Sequence, residues 1–153
     1  MEKERAPYGL ELIRNCLECP VREAALFCNL GEQATAELNA LRQPGVYPAR
    51  AVLFVEGQPA AGVFVLCSGK AKLTASSPQG RSVIIRLAGA GEVLGLSAAM
   101  SGTVHMATAE TLEPSQVNYL PRADFLSFLE RHAEVAIRVA QHLSMELGQA
   151  YQQ

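Results

Sequence analysis

Four cysteines are the residues whose type and spacing could carry chemistry in this chain: Cys16, Cys19, Cys28 and Cys67. Cys16 and Cys19 form a C-x2-C pair, which lets one turn of backbone direct two thiolates at one metal. A third thiolate nearby lowers the entropy cost of completing a site. The second C-x2-C pair or the histidines of a zinc finger are missing, so zinc is not favoured. The first three cysteines predict a metal or cluster site. Alternatively, Cys28 and Cys67, which are flanked by apolar residues, are small core residues, as free cysteines often are.

Composition places this chemistry in a folded domain. The 153 residues are 49% apolar and 18% charged, with a net charge of −2, which suits one compact domain with a real core. No apolar run reaches the roughly 18–20 residues that span a bilayer, and no signal peptide opens the chain. We therefore expect a cytoplasmic domain without a membrane partner. The near-neutral charge does not favour DNA binding by this chain alone. Its strand-region cations are expected on solvated faces: Lys70, Lys72, Arg81 and Arg86.

The sequence pattern predicts different secondary structure in successive parts of the chain, and these elements must position the cysteines. Residues 7–30 are expected to be irregular or briefly helical, and Ala34, Leu38 and Leu41 recur at helical spacing within a predicted helix at 32–42. Pro44-Gly45 is expected to end that helix. Glycine and proline turns then separate short β-rich runs, which predict a sandwich, barrel or roll. The predicted strands are 51–55, 62–67, 71–75, 83–87, 92–96, 105–110 and 117–120. Both faces of 63–67 are apolar, which places that strand in the middle of the roll.

A long helix is predicted after Leu120, because apolar residues recur there at alternating steps of four and three from Leu129 onward. That pattern is typical of a seam between two paired helices, although a helix packed on its own roll would also give it. The predicted dimer seam consists of Ala136, Ala140, Leu143, Leu147 and Ala150. His132 and His142 are expected to be solvated or beside the seam. The repeat is still running at Gln153, so we expect a helix that is cut rather than finished.

The positions of the glycines, together with the residues around them, match a known pattern over about 110 residues. Its segments are 47–57, 63–70, Gly80, 91–95 and 107–109. Together they resemble the sensor half of the Crp–Fnr family of bacterial transcription regulators. The resemblance implies a jelly-roll, cyclic-nucleotide-binding-like β-roll followed by a long dimerisation helix, in a homodimer that is not an enzyme. It divides the chain into a cysteine-containing segment (1–30), the β-roll (31–121) and C-terminal helices (122–153). It also implies that DNA is contacted only through a helix-turn-helix domain that this sequence lacks.

In nucleotide-binding members of this family, a Glu holds the ribose hydroxyl and an Arg pairs with the phosphate. Leu96 stands at the Glu position, and His105 or Met106 at the Arg position. Each of these changes is expected to reduce the free energy of binding a cyclic nucleotide by roughly 1.5–3 kcal/mol, and together they lower the affinity by about two to four powers of ten. The resemblance thus implies an effector pocket but does not favour a cyclic nucleotide in it. Its residues are Gly91, Glu92, Gly95, Leu96, Ser97, His105 and Met106.

The Fnr-like branch of the family holds a 4Fe–4S cluster on three N-terminal cysteines and one in the body. Similarity to that branch implies a cluster on Cys16, Cys19, Cys28 and Cys67, with Cys67 as a fourth ligand from an unusual strand. The function implied is an effector-sensing and dimerisation domain that senses oxygen or redox state. The alternative is a cyclic-nucleotide-binding regulatory domain. A metal-dependent cupin-type enzyme would need clustered histidines, and the strand region holds only His105.

Overall fold

A computed structural model describes residues 7–10, 12–13 and 30–151 of the chain. A 3₁₀ turn at Pro7–Gly9 precedes four helices and eight strands in this part of the chain. The helices are α1 (Glu32–Leu41), α2 (Leu96–Ser101), α3 (Arg122–Arg131) and α4 (Ala133–Tyr151). The strands are β1 (Gln43–Tyr47), β2 (Val52–Phe54), β3 (Gly62–Ser68), β4 (Ala71–Ser76), β5 (Ser82–Ala88), β6 (Val93–Leu94), β7 (Thr108–Thr111) and β8 (Ser115–Pro121). None of the described helices is both long and apolar enough to cross a bilayer.

Two antiparallel sheets of four strands form the body, in the orders β1-β8-β3-β6 and β2-β7-β4-β5. The first sheet has helices on its outer face, and the second sheet packs against its inner face. This arrangement is the jelly-roll-like fold with flanking helices that the sequence predicts. The predicted fold class is therefore confirmed.

Strand β3 lies in the middle of the first sheet and is buried on both faces, which explains its consecutive apolar residues. It pairs with β8 on one side and β6 on the other. Val63, Val65 and Cys67 point into a core cluster shared with the helices, whereas Leu66 lies in the cluster between the sheets. A strand that is buried on both faces needs apolar residues at consecutive positions rather than alternate ones. The predicted central position of this strand agrees with the structure.

The helices cover the first sheet with a common core. Phe125 and Phe128 of α3 and Val135 and Val139 of α4 are almost fully buried, together with Leu38 of α1. Each fully buried side chain of this size contributes about 1.5–3 kcal/mol relative to an exposed one. The same contacts hold the first half of α4 against the first sheet, and the second half of the helix is mostly exposed.

The strands differ from the prediction in two places. The first helix ends before Pro44 and Gly45, as predicted, but these two residues lie inside β1, a strand that was not predicted and that pairs with β8 along its whole length. Proline is tolerated there because β1 is an edge strand and needs no second partner. The predicted strand at 92–96 shortens to Val93–Leu94, because Leu96 already begins α2.

The long C-terminal helix is broken at His132, where the backbone (φ −131°, ψ 85°) leaves the helical region. The buried imidazole of His132 is hydrogen-bonded through Nε2 to the carboxylate of Glu37 on α1, and Arg131 pairs with the same carboxylate. Leu129 is therefore part of the core of α3 and not of a continuous seam. His132 is buried, so its predicted solvated position is wrong.

Candidate effector site and helix interface

The segment at the predicted effector pocket turns sharply at both ends of α2. Gly95 precedes the helix with φ +80°, and Gly102 follows it with φ +69°, a region that glycine enters without steric cost. Leu96 is buried in the cluster between the first sheet and the helices, whereas Ser97 is exposed. Arg122 of α3 holds the end of α2, because its Nε donates to the carbonyl oxygen of Ala99 at 2.7 Å. The side chain at the family's Glu position thus belongs to the core.

His105 lies inside the roll, and Met106 points into solvent with 81% of its surface exposed. The imidazole of His105 packs on the ring of Phe54, and a side chain at Gly95 would come within 3.0 Å of it. Burial lowers the pKa of His105 below its usual 6.5, so the ring is neutral at physiological pH. Neither candidate for the family's Arg position therefore presents a positive charge to a phosphate.

A cavity of about 430 Å³ opens beside this stacked pair at the β1 and β2 end of the roll. Aromatic side chains supply much of its wall, and Gln43 and Gln58 are among its polar residues. The phenol of Tyr119 donates to the carbonyl oxygen of Ala61 at 3.0 Å and is thereby fixed at the cavity rim. The aromatic lining residues are Tyr47, Phe54, Phe64, His105 and Tyr119. Of the predicted pocket residues, only His105 lines this cavity.

At the opposite edge of the roll, Arg86 on β5 joins two carboxylates from different elements. Its Nη1 donates to Oε1 of Glu146 on α4 at 3.2 Å, and its Nη2 lies 3.6 Å from Oε1 of Glu92. His142, one turn earlier on α4, lies 3.1 Å from the same Glu146 oxygen. The backbone N–H of Gly89 donates to the other oxygen of Glu92. Arg86 is ion-paired rather than on a solvated face, so that expectation is wrong; Lys72 pairs with Glu110 at 3.6 Å.

Helix α4 carries apolar residues on two opposite stripes. Val135 and Val139 face the body of the protein, and Ala136 and Leu143 pack partly against the same core. The other stripe is exposed and follows steps of three and four along the helix. Its members are Ile137, Ala140, Ser144, Leu147 and Tyr151. Of the predicted seam residues, Ala140, Leu147 and Ala150 are exposed, whereas Ala136 and Leu143 turn toward the body.

The cysteine hypothesis falls mostly outside the described residues, since Cys16, Cys19 and Cys28 are not among them. Cys67 is buried on β3 in the core cluster that also contains Leu30. Within the described part of the chain, His, Cys, Asp and Glu side chains form no group of three or more suited to a metal ion.

The N-terminal segment is tied to the roll just before the cysteines. The buried amide of Gln116 on β8 accepts a hydrogen bond from the backbone N–H of Ile13 and donates one to its carbonyl oxygen, both at 2.7 Å. Ile13 precedes Cys16 by three residues. Ile13 is thereby held on the same sheet as Cys67.

The fold and these positions can be compared with known proteins. Residues 44–132, more than half of the chain, match the family model described as the cyclic nucleotide-binding domain. The chain belongs to the cyclic nucleotide-binding domain family. The resemblance to Crp–Fnr regulators is confirmed by the relatives that this domain matches, which are transcriptional regulators and not enzymes.

The relatives of this cyclic nucleotide-binding domain include the transcriptional activatory protein AadR of Rhodopseudomonas palustris, 30% identical over 135 residues, or 88% of this chain and 55% of AadR. A CRP-like cAMP-activated global transcriptional regulator of Mycobacterium tuberculosis is 23% identical over 124 residues, covering 81% of this chain and 55% of the regulator. The crystal structure of the Thermus thermophilus catabolite activator protein aligns with a TM-score of 0.76 and 26% identity, covering 82% of this chain and 59% of that one. The chain spans about half the length of the curated relatives it matches.

Sequence reasoning missed Phe54, Glu37 and Glu146. Each acts through a partner that is distant along the chain: His105, His132 and Arg86 respectively. One signal was present in the sequence. Arg86 is a single cation between apolar residues of a predicted strand, a position where a charge needs a partner.

Proposed function

We propose that this cyclic nucleotide-binding domain is the effector-sensing and dimerisation part of a Crp–Fnr-type DNA-binding regulator. The observation that carries the proposal is the exposed stripe of α4. Ile137, Leu147 and Tyr151 on this stripe are between 58% and 82% exposed, although they follow the three-and-four spacing of a helix pair. A second copy of the chain would bury this stripe against its own.

A second apolar surface supports the same assembly. β5 is the edge strand of its sheet, and four of its apolar side chains are exposed. They are Val83, Ile84, Ile85 and Leu87. Apolar edge strands invite pairing with other chains unless they are covered. We infer that the partner subunit covers this strand as well as α4.

The dimer is tested with Leu147→Glu. Burying two Leu147 side chains is worth about 3–6 kcal/mol, so their loss should weaken the dimer by about two to four powers of ten. Sedimentation equilibrium measures the dissociation constant, and circular dichroism checks that the fold is kept. Gln149→Glu, which adds the same charge at an exposed position off the stripe, is the control. A monomeric parent chain, or a dimer that Leu147→Glu leaves intact, would contradict the proposal.

We propose further that the domain does not respond to cyclic AMP. Two features support this: Leu96 is committed to the core, and His105 is neutral and packed on Phe54. Isothermal titration with cyclic AMP and cyclic GMP should show no binding tighter than about 100 µM, with 5′-AMP as the control nucleotide. Saturable binding of a cyclic nucleotide in the low micromolar range would overturn this part of the proposal.

Redox sensing is the effector role that the cysteines favour. Cys67 lies in the same core cluster as Leu30, which is two residues along the chain from Cys28. Thiolates are soft ligands that suit iron–sulfur clusters, and such a cluster would supply sensitivity to oxygen. After anaerobic purification, we expect iron and sulfide in about equal amounts and a visible absorption that decays in air. Cys16→Ser should abolish both, and a colourless, iron-free parent protein would contradict the hypothesis.

Contact with DNA is proposed for the whole regulator and not for these 153 residues. The described surface pairs at least two of its strand cations, Lys72 and Arg86, with carboxylates. DNA binding needs clustered cations that are available to phosphates. A gel shift with this chain at physiological salt should show no tight complex, and a complex of nanomolar affinity would disprove the expectation.

A further inference from the structure

Arg86 emerges from the inner face of the roll. It pairs with Leu73 on β4 and shares its strand face with Ala88, which is buried in the cluster between the two sheets. A β-bulge at Ile85 interrupts the ladder directly before it, since Leu73 pairs with Arg86 and Thr74 with Ile84. Bulges re-aim the side chains beside them. The guanidinium therefore extends from the interior of the sensing domain toward α4.

The hydrogen bonding of Arg86 is incomplete. Glu146 accepts one hydrogen bond from Nη1, and Glu92 at 3.6 Å from Nη2 contributes charge but lies beyond hydrogen-bond distance. The Nε atom is buried and has no hydrogen-bond partner among the described residues. A buried donor without an acceptor is costly, and the Nε and Nη2 edge of a guanidinium is the fork that takes a carboxylate or a phosphate with two hydrogen bonds. Arg86 is thus neutralised in charge while its best anion-binding edge is not used.

We propose that Arg86 binds the anionic group of an effector, a carboxylate or a phosphate, in exchange for Glu146, so that effector binding releases α4 from the roll. This inference rests on the proposed function, because it names the ligand class and the coupling of the same sensing domain. Glu146 keeps a partner after the exchange, since His142 on its own helix lies 3.1 Å away. An anion on the Nε and Nη2 edge displaces the charge of Glu92 from Nη2 and competes with Glu146, which is bonded to Nη1, for the charge of the same guanidinium. That competition is the differential contact that coupling between two sites requires.

The test uses inorganic phosphate and acetate as probes on the 153-residue chain. The Nε–H signal of Arg86 is assigned in nitrogen–proton NMR spectra by its loss in Arg86→Gln, and sodium chloride at matched ionic strength is the reference. We expect this signal to shift saturably with one or both probes, and the amides of residues 140–151 to exchange faster with solvent at saturation. A response to phosphate alone or to acetate alone distinguishes the two sources of the anionic group.

Two matched variants decide the mechanism. Glu146→Gln removes the competitor and should tighten probe binding by about two- to fivefold, the range for a partly exposed ion pair. Glu110→Gln removes the same charge from the half-buried Lys72–Glu110 pair on the same sheet and should leave probe binding unchanged. Arg86→Lys keeps the charge without the fork and should weaken binding, which covers the case in which Arg86→Gln fails to fold.

Three results would overturn the inference: no saturable shift of Arg86 with either probe, equal tightening by Glu146→Gln and Glu110→Gln, or probe binding that leaves the exchange of α4 unchanged. Sedimentation of the same samples reports the dimer separately. If the protein is a dimer and its Arg86 signal responds to neither probe, this inference alone is overturned. If the protein is a monomer, the proposed dimerisation is overturned, and the binding of the probes to Arg86 can still be measured.

Discussion

The imidazole of His105 lies nearly flat against the ring of Phe54, with ring centroids 3.9 Å apart and an interplanar angle of 15°. Because burial lowers the pKa of His105, the folded protein binds a proton there less readily than the unfolded chain does. The stability that depends on the neutral ring is complete above the unfolded pKa of about 6.5. It is lost as the pH falls from there through the lower folded pKa.

We therefore predict that the melting temperature decreases as the pH is lowered from about 7.5 to about 5.5. His105→Phe keeps an aromatic ring against Phe54 but cannot titrate, so its decrease should be smaller. Calorimetry of both proteins at several pH values measures the difference. Parallel curves for the two proteins would show that His105 does not contribute.

Glu37 ties α1 to the junction between α3 and α4. Its hydrogen bond with His132, followed by that with Arg131, lowers the pKa of the Glu37 carboxyl. The stabilisation is present above the unfolded pKa and lost as the pH falls through the folded value. Glu37→Gln should lower the melting temperature at pH 7, and its deficit should shrink in acid below about pH 4. Glu130→Gln, exposed on α3, is the control; equal melting temperatures for both variants would contradict the prediction.

Gly69 and Gly80 both have positive φ, but only one of them is crowded. A side chain at Gly69 would lie 2.0 Å from Oγ of Ser115, whereas nothing lies within 4 Å of one at Gly80. We expect Gly80→Ala to lower the free energy of unfolding by about 1–2 kcal/mol and Gly69→Ala to lower it by about 2–5 kcal/mol. Urea denaturation measures both values. Losses of equal size would show that the contact with Ser115 is not a constraint.

Gln116 should determine whether the segment before the cysteines stays on the roll. Gln116→Leu removes both hydrogen bonds to Ile13, and we expect a loss of about 1–3 kcal/mol in the free energy of unfolding. The amide of Ile13 should also lose its protection from hydrogen exchange. Gln33→Leu on the exposed face of α1 is the control. Unchanged protection of Ile13 would contradict this role.

The sequence predicted those helices and strands in which the spacing of apolar residues directly indicates which faces are buried. The consecutive apolar residues of β3 indicate burial on both faces, and Ala34 and Leu38 indicate the buried side of α1. Strand β1 was not predicted, since Pro44 is as compatible with an edge strand as with the end of a helix, and only the pairing partner decides between them.

Partners that are distant along the chain could not be predicted in this way. Glu37 and His132 are 95 residues apart, and Arg86 and Glu146 are 60 apart. The periodicity of α4 was also ambiguous for a physical reason. Both stripes of the helix are apolar, so spacing alone does not tell which stripe packs on the body and which awaits a partner.

The break at His132 makes α4 a lever. Its 19 residues span about 28 Å at 1.5 Å per residue. A rotation of about 10° at this pivot would displace the far end near Tyr151 by about 5 Å, the rise of roughly one helical turn. A small change in how the helix is held at its base is thereby amplified at its tip.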